Sequence, residues 1–165
     1  MTLGATTDTQ DRAGQILEER PVPPLTEENV HAAFEKFRGD FYQMPPMVSA
    51  IKQGGVPLYK LARQGKTVER EPRLVHVYGY TISRIASPDV DFSVSCSKGF
   101  YVRTYAHDIG AELGCGAHLK ELRRTRSGRF PVDGAVTVEE LHNSDPVDIL
   151  GRILTLPEVS RMRGA

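Results

Sequence analysis

The sequence predicts an α+β fold in which a mixed, largely antiparallel sheet is flanked by helices. Three observations support this prediction. Strand-like and helix-like patterns follow one another irregularly, without the regular strand–helix–strand order of a parallel sheet. The strand-like segments are rich in β-branched and aromatic residues. The chain has 165 residues, of which 39% are hydrophobic, so a single domain can bury a core without disulfides.

The first third of the chain predicts a turn, a short strand and a helix. Residues 1–14 are rich in Thr, Asp and Gly and predict a turn, whereas residues 15–19 predict a strand that three prolines end. Thr26 belongs to the residue types that cap helices, and apolar residues follow it at helical spacing. Gly39 is expected to end this helix.

The middle third predicts extended backbone, a short helix and two strands. Pro45 and Pro46 exclude helix around them and favour extended backbone. Residues 58–64 predict a short helix that the following glycine closes. Residues 73–85 are rich in Val, Ile and Tyr and predict a long strand. Residues 91–98 alternate between apolar and serine side chains, which is typical of a half-buried strand.

The last third predicts three helices and one arginine-rich strand. Residues 101–113 place apolar side chains on one helical stripe, and residues 117–126 predict a strand. Thr137 is expected to cap a short helix, and residues 146–154 predict a last helix that stops before Pro157.

The net charge is zero, but the charges are unevenly distributed along the chain. Residues 1–48 carry a net charge of −4, residues 49–129 carry +7 and residues 130–165 carry −3. Arginine supplies 15 of the 21 basic residues, and its planar guanidinium suits bidentate phosphate recognition. The basic middle block has two interpretations, a solvated surface with ordinary ion pairs or a nucleic-acid-binding face.

Several classes of protein and site are excluded. No apolar segment is long enough for a membrane helix, and no secretory signal follows Met1. Two cysteines predict a reduced, cytoplasmic compartment. Cys115 and His118 are spaced like metal ligands, but two ligands do not make a zinc site. Asp8 and Asp11 lie in a Thr-Asp-Thr-x-Asp-x-x-Gly context, which favours turn caps over acid–base residues.

Arg103 is the residue whose position most needs a special explanation. It lies in the first turn of the predicted helix, where the helix dipole disfavours a cation, and no acidic residue is placed to pair with it locally. A distant carboxylate or an RNA phosphate would account for it, and so would a purely structural ion pair. Tyr101, two residues earlier, is suited either to stacking on a base or to packing in the core.

Four sequence stretches together resemble the bacterial tRNA pseudouridine synthase B (TruB) family, which isomerises uridine 55 in the T loop of tRNA. They are LGATTDTQDRAG at 3–14, YQMPPMVSAIKQGGVPLYKLARQGKTVERE at 42–71, CSKGFYVRTYAHDIGAELGCGAHLKELRR at 96–124 and SGRFPVDGAVTVEEL at 127–141. The resemblance implies a cytoplasmic enzyme that acts on the T arm of tRNA without cofactor or metal. It also implies that residues 1–156 are the central and C-terminal part of a pseudouridine synthase catalytic domain, followed by a tail at 157–165.

The resemblance assigns roles to individual residues. Arg103 matches the family's arginine that ion-pairs with a catalytic aspartate, and Tyr101 matches a tyrosine at the uracil pocket. Leu122 matches an apolar residue that lines the same pocket. The residues expected on the RNA side are Lys52, Arg63, Arg70, Arg73, Arg123 and Arg124.

The sequence departs from the family at three points. The Gly-x-Leu-Asp-Pro-x-Ala-Thr-Gly motif that carries the catalytic aspartate is not in the sequence, and neither are a Lys-x-Tyr strand and a C-terminal PUA domain. We therefore expect an N-terminally truncated synthase that is inactive alone. Arg103 is then expected to lack its partner, so that its replacement by alanine would change stability by no more than about 0.5 kcal/mol.

Two other interpretations stay open at this stage. One is a non-catalytic RNA-binding module derived from the same fold. The other is a basic α+β domain without an RNA role. The oligomeric state is not predicted.

Overall fold

The computed structural model describes residues 1–65 and 68–163. These described residues form two compact units, one within Met1–Glu121 and one within Leu122–Ala165. The helices are α1 Glu27–Glu35, α2 Leu58–Arg63, α3 Val102–Glu112, α4 Val138–Asn143, α5 Pro146–Leu150 and α6 Leu156–Arg163. The strands are β1 Thr2–Leu3, β2 Ala5–Thr7, β3 Ile16–Glu19, β4 Gly39–Gln43, β5 Lys52–Gln53, β6 Val56–Pro57, β7 Arg73–Ala86, β8 Asp89–Cys96, β9 Ala117–His118, β10 Arg126–Ser127 and β11 Phe130–Pro131.

A five-stranded antiparallel sheet organises the first unit, with strand order β4-β7-β8-β1-β9. The long strands β7 and β8 form a hairpin at its centre, and β4 pairs with the start of β7 from Gly39↔Val77 to Gln43↔Arg73. On the other side, β1 pairs with both β8 and β9. The predicted α+β class with a largely antiparallel sheet is therefore confirmed.

Helices α1 and α3 cover one face of this sheet. Phe34 of α1 and Tyr105 of α3 are fully buried, and their rings meet edge to face at 5.7 Å between centroids. Val77 of β7 and Val90 of β8 belong to the same core. The opposite face of β7 carries exposed side chains, because residues alternate between the two faces of a strand. The apolar stripe predicted for α3 is thus the stripe that it buries.

The predicted N-cap of α1 is confirmed in detail. Thr26 Oγ1 accepts a hydrogen bond from Asn29 N at 3.1 Å, and Asn29 Oδ1 accepts one from Thr26 N at 2.9 Å. This reciprocal pair satisfies two backbone donors at the helix start and is worth about 1 kcal/mol. The glycine predicted to end the helix instead begins β4, four residues after the helix ends.

An arm of residues 44–72 is inserted between β4 and β7. It contains the β5–β6 hairpin and α2, which ends one residue before the bound predicted from the sequence. Leu58 anchors α2 because its side chain is buried. Lys66, which belongs to the basic middle block, lies outside the described residues. Pro45 and Pro46 lie at the start of the arm, outside any helix, as the sequence predicts.

The second unit consists of the β10–β11 hairpin followed by α4, α5 and α6. Thr137 caps α4 in a capping box with Glu140, as its residue type predicts. None of the three helices has a buried residue within the part of this unit that the structure describes. Across the described residues of both units, no helix has the length and apolar character needed to cross a membrane.

Three sequence predictions about elements are wrong. Residues 1–14 contain two short strands in addition to a turn. The strand predicted at 117–126 is limited to Ala117–His118, and residues 120–125 form no regular element. The last predicted helix ends at Leu150, and another helix, α6, follows it at Leu156–Arg163. The tail at 157–165 stays a prediction. The single domain predicted for residues 1–156 stays a prediction.

Candidate active-site arginine and nucleic-acid interface

The guanidinium of Arg103 is held by three acceptors from two segments of the first unit. Its Nη1 donates to Thr9 O and to Asp11 Oδ2, both at 3.1 Å, and its Nη2 donates to Val48 O at 2.7 Å. The side chain is 22% exposed. The expectation that Arg103 lacks a partner in this chain is therefore wrong, because Asp11 supplies the distant carboxylate.

Asp11 also closes the turn between β2 and β3. Its Oδ1 accepts hydrogen bonds from Thr9 Oγ1 at 2.8 Å and from Ala13 N at 3.0 Å, while Oδ2 faces Arg103. Asp8 Oδ1 accepts from Gln15 N at 2.8 Å across the same turn. The interpretation as a turn cap is confirmed for Asp11, which accepts from the backbone two residues on and has the ion pair as a second role. Asp8 instead joins the two ends of the turn through Gln15 N.

The hydrogen bonds at Asp11 keep it ionised at neutral pH. Burial raises the pKa of its carboxyl, but donation from Thr9, Ala13 and Arg103 outweighs this effect and holds the pKa below its usual range. Both carboxylate oxygens are already engaged by donors. We therefore interpret Asp11 as a fixed counterion of Arg103 and not as a nucleophile.

Arg103 keeps hydrogen-bonding capacity after these contacts. A guanidinium has five N–H donors, and three hydrogen bonds are formed with residues that the structure describes. The two further donors have no partner among residues 1–65 and 68–163. A planar guanidinium with two available N–H groups is suited to a carboxylate or a phosphate.

Tyr101 is the N-cap of α3, and its side chain forms no capping hydrogen bond. Its backbone is fixed instead by Gln43, since Tyr101 N donates to Gln43 Oε1 at 2.8 Å and Gln43 Nε2 donates to Tyr101 O at 3.1 Å. The Tyr101 side chain is half-buried. The sequence does not identify Gln43 as a site residue, because its position before two prolines gives no sign that it is buried.

The cations of the basic middle block differ from those of the N-terminal segment in their partners. Within residues 1–48, all four basic residues form ion pairs with carboxylates. Between residues 49 and 129, only Arg84, Arg103 and Lys120 do so in the described part of the chain. The described basic residues of the block without an ion pair are Lys52, Lys60, Arg63, Arg70, Arg73, Lys98, Arg123, Arg124, Arg126 and Arg129.

The cations predicted to face RNA occupy different environments. Lys52, Arg63 and Arg73 are exposed, and the Arg63 guanidinium lies over the Tyr59 ring, 5.5 Å from its centroid. Arg70 is half-buried and donates from Nη1 to Pro45 O at 2.8 Å, so it also fixes the arm. Their roles in RNA binding stay predictions.

Three predicted residues belong to the second unit. Arg123 and Arg124 are exposed and lie in an irregular segment, so the strand on which the sequence analysis placed them is absent. Leu122 opens the unit and is 60% exposed. Its predicted place in a uracil pocket is not tested by the structure and stays a prediction.

No cluster of three or more His, Cys, Asp or Glu side chains in the described residues could hold a metal ion. Cys115 is buried in the core of the first unit, and His118 Nδ1 lies 3.2 Å from Ala5 O. Cys115 therefore packs in the core, and His118 contacts the backbone of β2.

Two family models match almost the whole chain. Residues 1–102 match the TruB family pseudouridylate synthase N-terminal domain, and residues 103–147 match the tRNA pseudouridylate synthase B C-terminal domain. The chain belongs to the TruB family of pseudouridine synthases. The boundary between the two family matches falls immediately before Arg103, so the arginine and its partner Asp11 come from different matched segments.

Curated TruB relatives are similar over most of this chain. The tRNA pseudouridine synthase B of Opitutus terrae is 49% identical over 159 residues, which cover 96% of this chain and 62% of the relative. That of Geobacter sulfurreducens is 46% identical over 168 residues, covering 95% of this chain and 55% of the relative. The chain thus spans a little over half the length of these relatives.

Solved structures support the same fold. A chain of a Cbf5-Nop10-Gar1 complex superposes with a TM-score of 0.57 and 33% identity, covering 73% of this chain and 32% of that chain. An H/ACA RNP bound to a substrate RNA containing 2'-deoxyuridine gives a TM-score of 0.53 and 28% identity, covering 73% of this chain and 30% of that one. The TruB-like fold is therefore shown by sequence and structure together.

Asp108 of α3 is expected to lower the stability of the TruB fold at neutral pH. Burial raises the pKa of its carboxyl, and it accepts no hydrogen bond from the described residues. Its pKa is higher in the folded than in the unfolded state. The carboxyl therefore lowers stability increasingly as pH rises above the unfolded-state pKa, and fully above the folded-state pKa. Asp108→Asn should therefore raise the urea midpoint at pH 7. The gain should vanish below the unfolded-state pKa of about 3.9.

The exposed Asp133 offers a matched control for this measurement, because it has no ion-pair partner in the described residues. Asp133→Asn should leave the midpoint unchanged at both pH values. An Asp108→Asn variant that is less stable than the parent at pH 7 would show that the carboxylate has a stabilising partner.

Proposed function

We propose that this chain binds the T arm of tRNA and contributes the arginine centre of a site that isomerises uridine to pseudouridine. The observation that carries the proposal is the geometry of Arg103. Its guanidinium is oriented by Asp11, Thr9 and Val48, and two of its N–H donors have no partner among the described residues. A preorganised donor pair of this kind suits an incoming anion.

The family's reaction gives this donor pair a role. TruB-like synthases break the glycosidic bond of the flipped uridine, rotate the uracil and rejoin it through carbon 5, with an aspartate as the essential group and no cofactor. The Nε–H and the remaining Nη2–H of Arg103 are the donors that could bind such a carboxylate. The Gly-x-Leu-Asp-Pro motif is not among these 165 residues, so the complete site requires a carboxylate in addition to those of this sequence.

Exposed cations of the arm support RNA as the substrate. Lys52, Lys60 and Arg63 are exposed and have no ion pair with a described carboxylate. Phosphate binding by such residues releases condensed counterions and is therefore salt-dependent. The H/ACA structure that this chain resembles was solved with a substrate RNA, which supports the same class of substrate here. Cytoplasmic location and preference for the T arm belong to this proposal.

A T-arm stem-loop RNA labelled with a fluorophore tests the binding proposal. We expect the affinity of the 165-residue chain to fall as salt rises. The triple variant Lys52→Ala, Lys60→Ala, Arg63→Ala should reduce the slope of log affinity against log salt by about 2, on the order of 0.7–0.9 for each phosphate that is no longer neutralised. A stem-loop of the same length with an unrelated loop measures the preference for the T arm.

A matched control removes three cations that already have carboxylate partners. The triple variant Arg20→Ala, Lys36→Ala, Arg38→Ala makes the same change in charge but removes paired residues. Its salt slope should remain that of the parent chain. An equal reduction of the salt slope in both triple variants would show that net charge alone attracts the RNA. An affinity of the parent chain that does not change with salt would contradict the proposal.

A non-catalytic RNA-binding module is the second candidate, and the exposed cations of the arm favour it, because they can bind phosphate without any catalytic group. Mass spectrometry of isotopically labelled T-arm RNA separates the two candidates. Pseudouridine formed by this chain would support catalysis by the residues present here. Salt-dependent binding without turnover would support the binding module for the chain alone.

A further inference from the structure

We infer that Gln43 is a positioning residue for the Arg103 centre, a role that rests on the function proposed above. Gln43 is the last residue of β4, directly before the arm, and only 1% of its surface is exposed. Its side-chain amide is bound to both backbone polar groups of Tyr101. Tyr101 lies two residues before Arg103, so this contact fixes the start of α3 from which the arginine projects.

The amide of Gln43 provides what this site requires. Tyr101 N needs an acceptor and Tyr101 O has capacity for a donor, although the carbonyl also accepts the first helical hydrogen bond from Tyr105 N at 3.0 Å. A glutamine amide offers both groups on one planar unit. Because α3 has no side-chain cap, the amide of Gln43 pairs a part-buried backbone donor at the helix start.

Gln43 also fixes the segment that carries the third acceptor of Arg103. Val48 O, which accepts from Arg103 Nη2, lies five residues after Gln43. Pro45 and Pro46 stand between them, and their rings restrict the backbone of this connection. Pro45 is itself fully buried, and its carbonyl accepts from Arg70. Both ends of the segment 43–48 thus contact the start of α3, Gln43 through Tyr101 and Val48 through Arg103. Gln43 fixes the position of the first of these contacts.

Gln43→Met tests this role because methionine has a similar length and shape but cannot form either hydrogen bond. In the full 165-residue chain, hydrogen exchange of the Tyr101 amide should become about tenfold faster, as expected for the loss of one part-buried hydrogen bond. Exchange of the Val30 amide in α1 should not change. Gln15→Met is the matched control, since Gln15 is exposed and its side chain forms no hydrogen bond with the described residues.

A double-mutant cycle separates positioning from general loss of stability. Affinity for the T-arm stem-loop is measured for the parent, Gln43→Met, Arg103→Ala and the double variant, at a temperature where circular dichroism shows all four folded. If Gln43 acts through Arg103, Gln43→Met should weaken binding about fivefold in the parent and less than about twofold in the Arg103→Ala background. Gln43→Asn, whose amide is one methylene shorter, replaces Gln43→Met if the latter does not fold.

The outcomes distinguish this inference from the proposed function. Equal fold-changes of Gln43→Met in both backgrounds would overturn the positioning role and leave only a structural one. An unchanged Tyr101 exchange rate would overturn it as well, whether or not RNA binds. Failure of the parent chain to bind RNA would contradict the proposed function, and the exchange rates alone would then decide whether Gln43 holds Tyr101.

Discussion

Arg103→Ala is expected to destabilise the first unit by about 2–3 kcal/mol in urea unfolding at pH 7. The substitution removes three hydrogen bonds, one of which is the partly buried ion pair with Asp11. It leaves the carbonyls of Thr9 and Val48 without this donor. The loss should be much larger than for a surface arginine, because the guanidinium joins the turn between β2 and β3 to the start of the arm.

The control for this prediction is Arg84→Ala, which removes an exposed ion pair with Asp91, 2.8 Å long. Exposed pairs contribute little, so its cost should stay below about 1 kcal/mol. The folded-state pKa of Asp11 is lowered, so its contribution is present above the unfolded-state pKa and disappears as pH falls through the folded one. The difference between Arg103→Ala and the parent should therefore shrink in acid. A cost at pH 7 as small as that of Arg84→Ala would contradict the network.

The sequence indicates that Arg103 needs a distant anion, but it cannot identify Asp11. The local sequence correctly predicts that Asp11 caps a turn. Its Oδ1 accepts the hydrogen bonds of the turn, and Oδ2 remains available for another donor. Only the fold brings this second oxygen to α3, 92 residues away along the chain. The family resemblance points to an aspartate outside the sequence and gives no role to the carboxylate that is present.

The elements predicted best are those with a local signal. Helices α1 and α3 have complete apolar stripes, and β7 and β8 are long enough to show β-strand composition. Strand β9 has only two residues, whose pairing with β1 is a long-range property of the sheet. The arginine-rich segment after it is predicted to continue the strand. Nearly every residue there is polar, so the sequence has no clear alternation of apolar and polar side chains that could show where the strand ends.

The close contact between α3 and β9 has a steric basis in Gly110. A Cβ atom built there would lie 2.3 Å from both Ala117 Cβ and Ala117 N, and 2.5 Å from Gly116 C. Two of these atoms are backbone, so no side-chain rotation can make room. The absence of a side chain at Gly110 therefore sets how closely the helix that carries Arg103 approaches β9, the edge strand that pairs with β1.

Gly110→Ala is accordingly expected to destabilise the chain by about 3 kcal/mol or more, measured as the free energy of unfolding in urea. Helix propensity alone predicts the opposite sign, a gain of about 1 kcal/mol for alanine over glycine inside a helix. Gly79→Ala in β7 is the matched control, because no atom lies within 4 Å of the Cβ position there. Its effect should stay within about 0.5 kcal/mol. A Gly110→Ala variant as stable as the parent would mean that α3 can move away from β9.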